Sequence, residues 1–204
     1  MENIKNVILD LGVVLLDLHR SECLDSFCEL GIPNVDEVIQ TARHGGIFGA
    51  YEMGAVSTPE FYEGIRRMSP QTLSDDQIRN AWMKMIADIP AYKLELILSL
   101  RENYNVYLLS NTNELHWDWC VEHIFRRNGK DVTDFFDKVW LSNEVHMLKP
   151  SSEIFEYVLK DEMLNPFETF FIDDAPANCR MAETFGIGTY TPKAQEDWSH
   201  LFTK

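Results

Sequence analysis

Long apolar runs are missing from this sequence: none approaches the about 18–20 residues that a membrane-spanning helix needs, so no membrane partner is expected. The opening MENIKNVILDLG lacks the basic start, extended apolar core and small-residue cleavage site of a secretory signal. Cysteine is scarce and unpatterned. Cys23, Cys28, Cys120 and Cys179 include no C-x-x-C pair, which argues for reduced, packed thiols over a zinc site or a disulfide framework. The cytoplasm is the expected compartment. Basic residues are few as well, 18 Lys and Arg against 33 Asp and Glu, for a net charge of −15. Such a field repels a phosphate backbone, so no nucleic acid partner is expected. Small phosphates are not excluded, because a metal ion or a lysine reverses the field inside one cleft. Internal repeats and low-complexity segments are absent too.

What is present is an ordinary globular composition, 45% hydrophobic and 25% charged over 204 residues. That length holds one full core, or a core with a small insert. After about residue 88 short apolar strands alternate with amphipathic helices. YKLELILSLREN is followed by the strand NVYLLSNT, and DKVWLSN is a second strand. Pro150 is expected to open the helix SSEIFEYVLKDEM, TFFIDD is a third strand, and ANCRMAETFG is a helix stopped by Gly186 before IGTYT. The alternation predicts an α/β fold, a Rossmann-like parallel sheet wrapped by helices on both faces. NVILD near the N-terminus belongs to that sheet, but the residues after it read as helices only. SECLDSFCELG ends at Gly31, TPEFYEGIRRM has Thr58 as expected N-cap, and SDDQIRNAWMKMI opens with the capping-box pattern Ser74 to Gln77. The expected division is a core of residues 1–15 and 88–204, with a small helical cap of residues 16–87 inserted after the first strand.

Parallel sheets bind ligands beyond the carboxyl ends of their strands. Strand by strand, those ends deliver Asp10, then Ser110, Asn111 and Thr112, then Lys149, then Asp173 and Asp174. Each has a plain structural reading. Asp10 could end a strand, Asp173 and Asp174 could cap a helix, Lys149 could be solvated, and Ser110–Asn113 could be loop chemistry. All of them on consecutive strand ends is harder to dismiss. Clustered carboxylates repel one another unless a cation sits between them, and Asp oxygens with waters suit Mg²⁺. With a lysine beside the ion, an anionic nucleophile could approach an anionic phosphate.

The ordered set ILDLG, LLSNTN, LKP and FIDD resembles the four motifs of the haloacid dehalogenase superfamily of phosphohydrolases. It is most similar to the branch whose first motif reads Asp-Leu-Gly, which includes α-glucose-1-phosphatase-like enzymes. The resemblance spans nearly the whole chain. It implies Asp10 as the nucleophile that forms an aspartyl-phosphate, with Ser110 and Asn111 binding phosphate and Lys149 bridging nucleophile and phosphate. It further implies Mg²⁺ held by Asp10, the Gly12 carbonyl, Asp173 and Asp174, with Asp174 the direct ligand, and Asn178 as a polar support. The substrate would be a small phosphorylated metabolite, a sugar phosphate being the leading expectation, and the protein a monomer or homodimer.

Two residues depart from the usual superfamily pattern. Gly12 stands where a second Asp commonly serves as general acid and base, a contribution of about 10²–10⁴-fold. Val13 stands where Gly or Asn is usual, and a β-branched residue resists positive φ. Both keep a second reading open, a weak or silent relative that binds a phosphorylated ligand or partner protein. The missing acid argues for easily expelled leaving groups. His116 is a candidate substitute proton donor, or else a packed histidine beside Trp117 and Trp119. The segment HGGIFGAYEMGAVST, with His19 and Arg20, is expected to face the cleft, or else to be a glycine-rich connector. Residues 116–136 form a lid or a packing surface, and Trp198 and Leu201 anchor the tail on the core.

Overall fold

The computed structural model describes residues 3–41 and 46–202. At its centre are five strands: β1 (Asn6–Leu9), β2 (Asn105–Ser110), β3 (Lys138–Leu141), β4 (Thr169–Ile172) and β5 (Gly188–Tyr190). They lie in the order β3-β2-β1-β4-β5, and every pairing is parallel. All four residues of β1 are buried, as a central strand covered on both faces requires.

The period-2 geometry of the strands sends alternate side chains to opposite faces. Val7, Leu9, Val106, Leu108 and Ile172 pack on one side with Ile97, Leu100, Phe125, Phe135 and Trp198. Ile8, Tyr107, Leu109 and Phe171 pack on the other side with Ile154, Phe155, Val158 and Ala182. The covering helices are α6 (Ala91–Leu100), α7 (Glu114–Cys120), α8 (Val132–Phe135), α9 (Ser142–Val145), α10 (Ser152–Asp161) and α11 (Pro176–Thr184). Between β1 and α6 the described chain forms α1 (Arg20–Glu29), α2 (Val35–Thr41), α3 (Ile47–Glu52), α4 (Thr58–Arg66) and α5 (Asp75–Met83). These helices bury an apolar cluster of their own around Phe27, Phe48, Phe61, Ile78 and Trp82. Two linkers join them to the sheet. Leu18 and Ile86 form an antiparallel bridge, and His19 N donates to the Met85 carbonyl at 2.8 Å.

Local signals translate into structure with small offsets. The Ser74–Gln77 capping box forms as expected. The N-cap of α4 is Ser57 rather than Thr58, because Glu60 reaches back to the Ser57 N–H at 2.8 Å. Pro150 precedes the N-cap Ser151 of α10 instead of opening the helix. Gly186 adopts φ 90° just beyond α11, the left-handed stop its position implied. From Glu114 the chain forms α7, then a π-helical turn over Val121–Phe125. Cys120, Ile124, Phe125 and Phe135 enter the core, so this stretch packs.

Candidate active site

The strand order reverses at β1, with β2 on one side and β4 on the other. The ends of β1 and β4 therefore flank the crevice where such sheets bind ligands. Leu9 pairs with Ile172, so the next residues, Asp10 and Asp173, emerge side by side. Asp10 N donates to the Ile172 carbonyl at 2.9 Å and Asp173 N to the Tyr190 carbonyl at 3.2 Å, which continues the ladder through both aspartates.

Lys149 sits between them. Its Nζ donates to Asp10 Oδ1 at 2.6 Å, to Asp173 Oδ2 at 2.6 Å and to the Leu109 carbonyl at 2.8 Å, which uses all three ammonium hydrogens. The ammonium also lies 5.4 Å from the Phe171 ring centroid. Asn111 holds this lysine by its main chain. Its Oδ1 accepts from Lys149 N and its Nδ2 donates to Lys149 O, both at 2.9 Å. The side chain expected to bind phosphate is therefore committed to Lys149. Asn178 plays the corresponding part for Asp173, with Nδ2 2.9 Å from both carboxylate oxygens, while Ala175 N donates to Asp173 Oδ1 at 2.8 Å.

These bonds separate the acidic pair. Asp173 is fully buried, and both of its oxygens already accept from protein donors. Asp174 lines the cavity in front of the sheet, as do Asp10, Gly12, Ser110, Lys149 and Asn178. One carboxylate oxygen from each of Asp10, Asp173 and Asp174 lies within 4.8 Å of the other two. When all three carboxylates are ionised, the one ammonium leaves two negative charges in excess. Burial pushes the Asp10 carboxyl up, to about 7; Lys149 pulls it down, and Asp173 and Asp174 push it up again. An all-oxygen donor set with that excess fits a hard divalent cation such as Mg²⁺. The Gly12 carbonyl accepts from Val14 N at 2.7 Å. A carbonyl oxygen has two lone pairs, so this turn uses one of them.

The turn itself is the i→i+2 kind with Val13 at its centre, at φ 64°. The unfavourable geometry anticipated for this position is thus the one adopted, in the rarer, strained form of γ-turn.

The cavity has a volume of about 820 Å³, and its far wall comes from the helical insert, through Leu18, Arg20, Phe48, Glu52, Trp82 and Met85. Arg20 and Phe48 therefore face it as expected. His19 does not line it, and its ring pairs with Glu22 at 3.4 Å on the surface. His44 and Gly45 of the glycine-rich segment lie outside the described residues.

His116 is buried and lines the cavity, but both ring nitrogens face protein groups. Nε2 is 3.1 Å from the Trp82 carbonyl and therefore carries the hydrogen; Nδ1 is 3.2 Å from Asn113 Nδ2 and accepts from it. Asn113 Oδ1 in turn accepts from Trp82 Nε1 at 3.3 Å and from His116 N at 3.2 Å. The imidazole stacks on the Trp82 ring with centroids 4.6 Å apart. Burial pushes its pKa down to about 4, so the ring is neutral at pH 7. The expectation of a proton donor meets a ring whose one N–H is already given to a carbonyl. His116 instead clasps α5 of the insert to α7 of the core. Sequence reasoning overlooked this clasp, and also Ser142, whose Oγ donates to the Glu52 carbonyl at 2.6 Å and accepts from Thr112 N at 2.9 Å. Ser142 follows the apolar run VWL, so the strand-end rule could have found it.

A reversing parallel sheet, an acidic rim around a buried ammonium and a helical insert after the first strand together define the class. The chain belongs to the haloacid dehalogenase-like hydrolase family, which matches residues 4–186. It is 34% identical to a D-ribitol-5-phosphate phosphatase of Bacteroides thetaiotaomicron over 98% of this chain and 97% of that protein. Among solved structures, an HAD-family enzyme of Bacteroides thetaiotaomicron, in complex with magnesium and inorganic phosphate, superposes with a TM-score of 0.92. It shares 49% identity and covers 98% of this chain and 100% of its own. A predicted HAD-like hydrolase of Porphyromonas gingivalis gives a TM-score of 0.90 at 34% identity, over 99% of each chain.

Proposed function

We propose that this protein hydrolyses a small sugar or polyol phosphate through an aspartyl-phosphate formed on Asp10. It is a phosphoric monoester hydrolase, and its cofactor is Mg²⁺. The observation that carries the proposal is the Lys149 ammonium held at 2.6 Å from both Asp10 and Asp173, on the rim that Asp174 also lines. Asp10, Asp174 and the Gly12 carbonyl are the groups we assign to the metal, with Asp173 acting mainly through Lys149 and Asn178. When bound, the ion supplies positive charge against the phosphoryl oxygens.

One carboxylate oxygen of Asp10 attacks phosphorus, a P–O bond forms, and the bond to the leaving oxygen breaks. Lys149 fixes the direction of that carboxylate and offsets charge on the phosphoryl group. Ser110, on the same rim, holds a phosphoryl oxygen. Water then attacks the aspartyl-phosphate, releasing inorganic phosphate and regenerating the carboxylate. Gly12 offers no proton to the leaving alcohol, and the His116 N–H is held by Trp82. That argues for leaving groups that depart easily. The ribitol phosphatase relative is named for a primary alkyl phosphate, which supports a wider range. The cavity volume lies within the span usual for small-molecule sites, and aromatic, carboxylate and guanidinium groups on its far wall suit a polyhydroxylated body.

The test is turnover of ribitol 5-phosphate, glucose 1-phosphate, glycerol phosphate and p-nitrophenyl phosphate with and without Mg²⁺. Asp10→Asn serves as the blank. Activity surviving in that variant would overturn the mechanism, and no activity on any ester with Mg²⁺ would favour the silent-relative reading.

A further inference from the structure

Lys93 is a fully buried charged side chain that the mechanism above does not use. It stands in the first turn of α6, and its Nζ donates to the Val14 carbonyl at 2.8 Å. The same oxygen accepts from Trp198 Nε1 at 3.0 Å, and Trp198 is buried too. Two donors from elements far apart in sequence thus converge on one peptide of the loop that follows Asp10.

That loop otherwise spends its main chain on itself. Val13 N donates to Leu16 O at 2.7 Å, Val14 N to Gly12 O at 2.7 Å, and Leu15 N and Leu16 N both to Leu11 O at 3.0 Å. Its weak point is Val13, a β-branched residue held at φ 64°. Left free, Val13 would relax to negative φ, and the rotation would turn the Gly12 carbonyl out of the orientation that the Val14 N–H bond gives it. Filling both lone pairs of the Val14 carbonyl fixes the orientation of that peptide and opposes the relaxation. A charged donor makes the stronger bond, which fits the use of an ammonium where an apolar side chain would be easier to bury.

We propose that Lys93 and Trp198 are positioning residues, which hold the Val14 carbonyl from two sides and so keep the strained turn that orients the carbonyl of Gly12, a residue lining the same cavity as Asp10. This rests on the assignment of Gly12 and Asp10 to the metal and to phosphoryl transfer.

The test is a cycle in which Lys93→Met is made alone and in a Val13→Gly background, where left-handed φ costs nothing. Mg²⁺ affinity is read by calorimetry without substrate, and kcat and KM with p-nitrophenyl phosphate at saturating Mg²⁺. Lys93→Met is expected to lower both Mg²⁺ affinity and kcat at least fivefold with KM moving less than twofold, and Val13→Gly is expected to reduce those losses below twofold. Trp198→Phe, which removes the N–H donor and keeps an aromatic ring, runs through the same cycle if Lys93→Met does not fold. Losses under twofold in the folded single variant, or equal losses in both backgrounds, would overturn the proposal. So would failure of both variants to fold, since the contact would then be a requirement of folding. A wild-type protein without phosphatase activity would sink the functional reading, and the Mg²⁺ isotherms would still decide the positioning.

Discussion

Acid should loosen this protein through His116, and the size of the effect can be worked out. The ordinary imidazole value of 6.5 falls to about 4 in the folded state, chiefly because burial penalises the charged ring. The neutral ring is what the fold requires. Its Nε2–H is given to the Trp82 carbonyl, its Nδ1 accepts from Asn113, and its face stacks on the Trp82 indole. Between about pH 6.5 and pH 4 the unfolded chain binds a proton at this residue that the folded chain does not, so stability falls as pH falls through that window. At about 1.4 kcal/mol per pH unit, the full loss is about 3 kcal/mol, complete below about pH 4. That is a large share of the 5–15 kcal/mol, roughly, that a domain has available. The assay is urea unfolding of wild type and His116→Gln from pH 7.5 to 4, followed by circular dichroism. Other groups titrate in both proteins, so the difference between them isolates the ring. The variant should be less stable at pH 7.5, having lost the stacking on Trp82, and the gap should shrink or reverse towards pH 4. A gap that stays constant across the range would refute the reasoning.

Three further outcomes are expected. Lys149→Met leaves Asp10 and Asp173 buried without their shared counter-charge and should cost about 3–5 kcal/mol in urea unfolding without metal; a loss under 1 kcal/mol would contradict the ion-pair account. Asn178→Ala frees both oxygens of Asp173 from one donor and should weaken Mg²⁺ half-saturation or turnover by about 10–100-fold, measured with p-nitrophenyl phosphate. Gly12→Asp should fit, because a Cβ there meets Leu18 Cδ1 at 3.4 Å, ordinary contact at the end of a flexible side chain. It should raise turnover of alkyl phosphates by up to about 10²-fold while leaving p-nitrophenyl phosphate little changed; equal gains on both esters would show that the carboxylate is not acting as an acid.

Much of the architecture is written in local pattern. The apolar runs VIL, VYLL and FFI are parallel strands, buried throughout except for the half-buried Phe170, because runs without polar alternation suit a sheet covered on both faces. Asp10, Ser110 and Asp174 lie at or just beyond the ends of β1, β2 and β4, where a parallel sheet displays its side chains on a single rim, and Lys149 reaches the same cavity from the segment after β3 and α9. The left-handed angle at Val13 is anticipated only through the family pattern, which has Gly or Asn at that position; the valine by its own type argues against such an angle.

Partnership is what the sequence leaves undecided. Asn111 and Asn178 look alike as polar residues near a site, yet one brackets the main chain of Lys149 and the other clasps the carboxylate of Asp173. The roles of Asp173 and Asp174 divide only when Asn178 and the Ala175 N–H fold back on the first of them. His116 could donate a proton or pack until Trp82, thirty-four residues earlier in the chain, takes its hydrogen. Lys93 reads as an ordinary helix lysine until its ammonium is found on a carbonyl seventy-nine residues away. Residue type and period determine strands, helices and the rim, because those follow from interactions a few residues long. Hydrogen-bond partners, burial and protonation depend on groups distant in the chain, and only the folded structure brings them together.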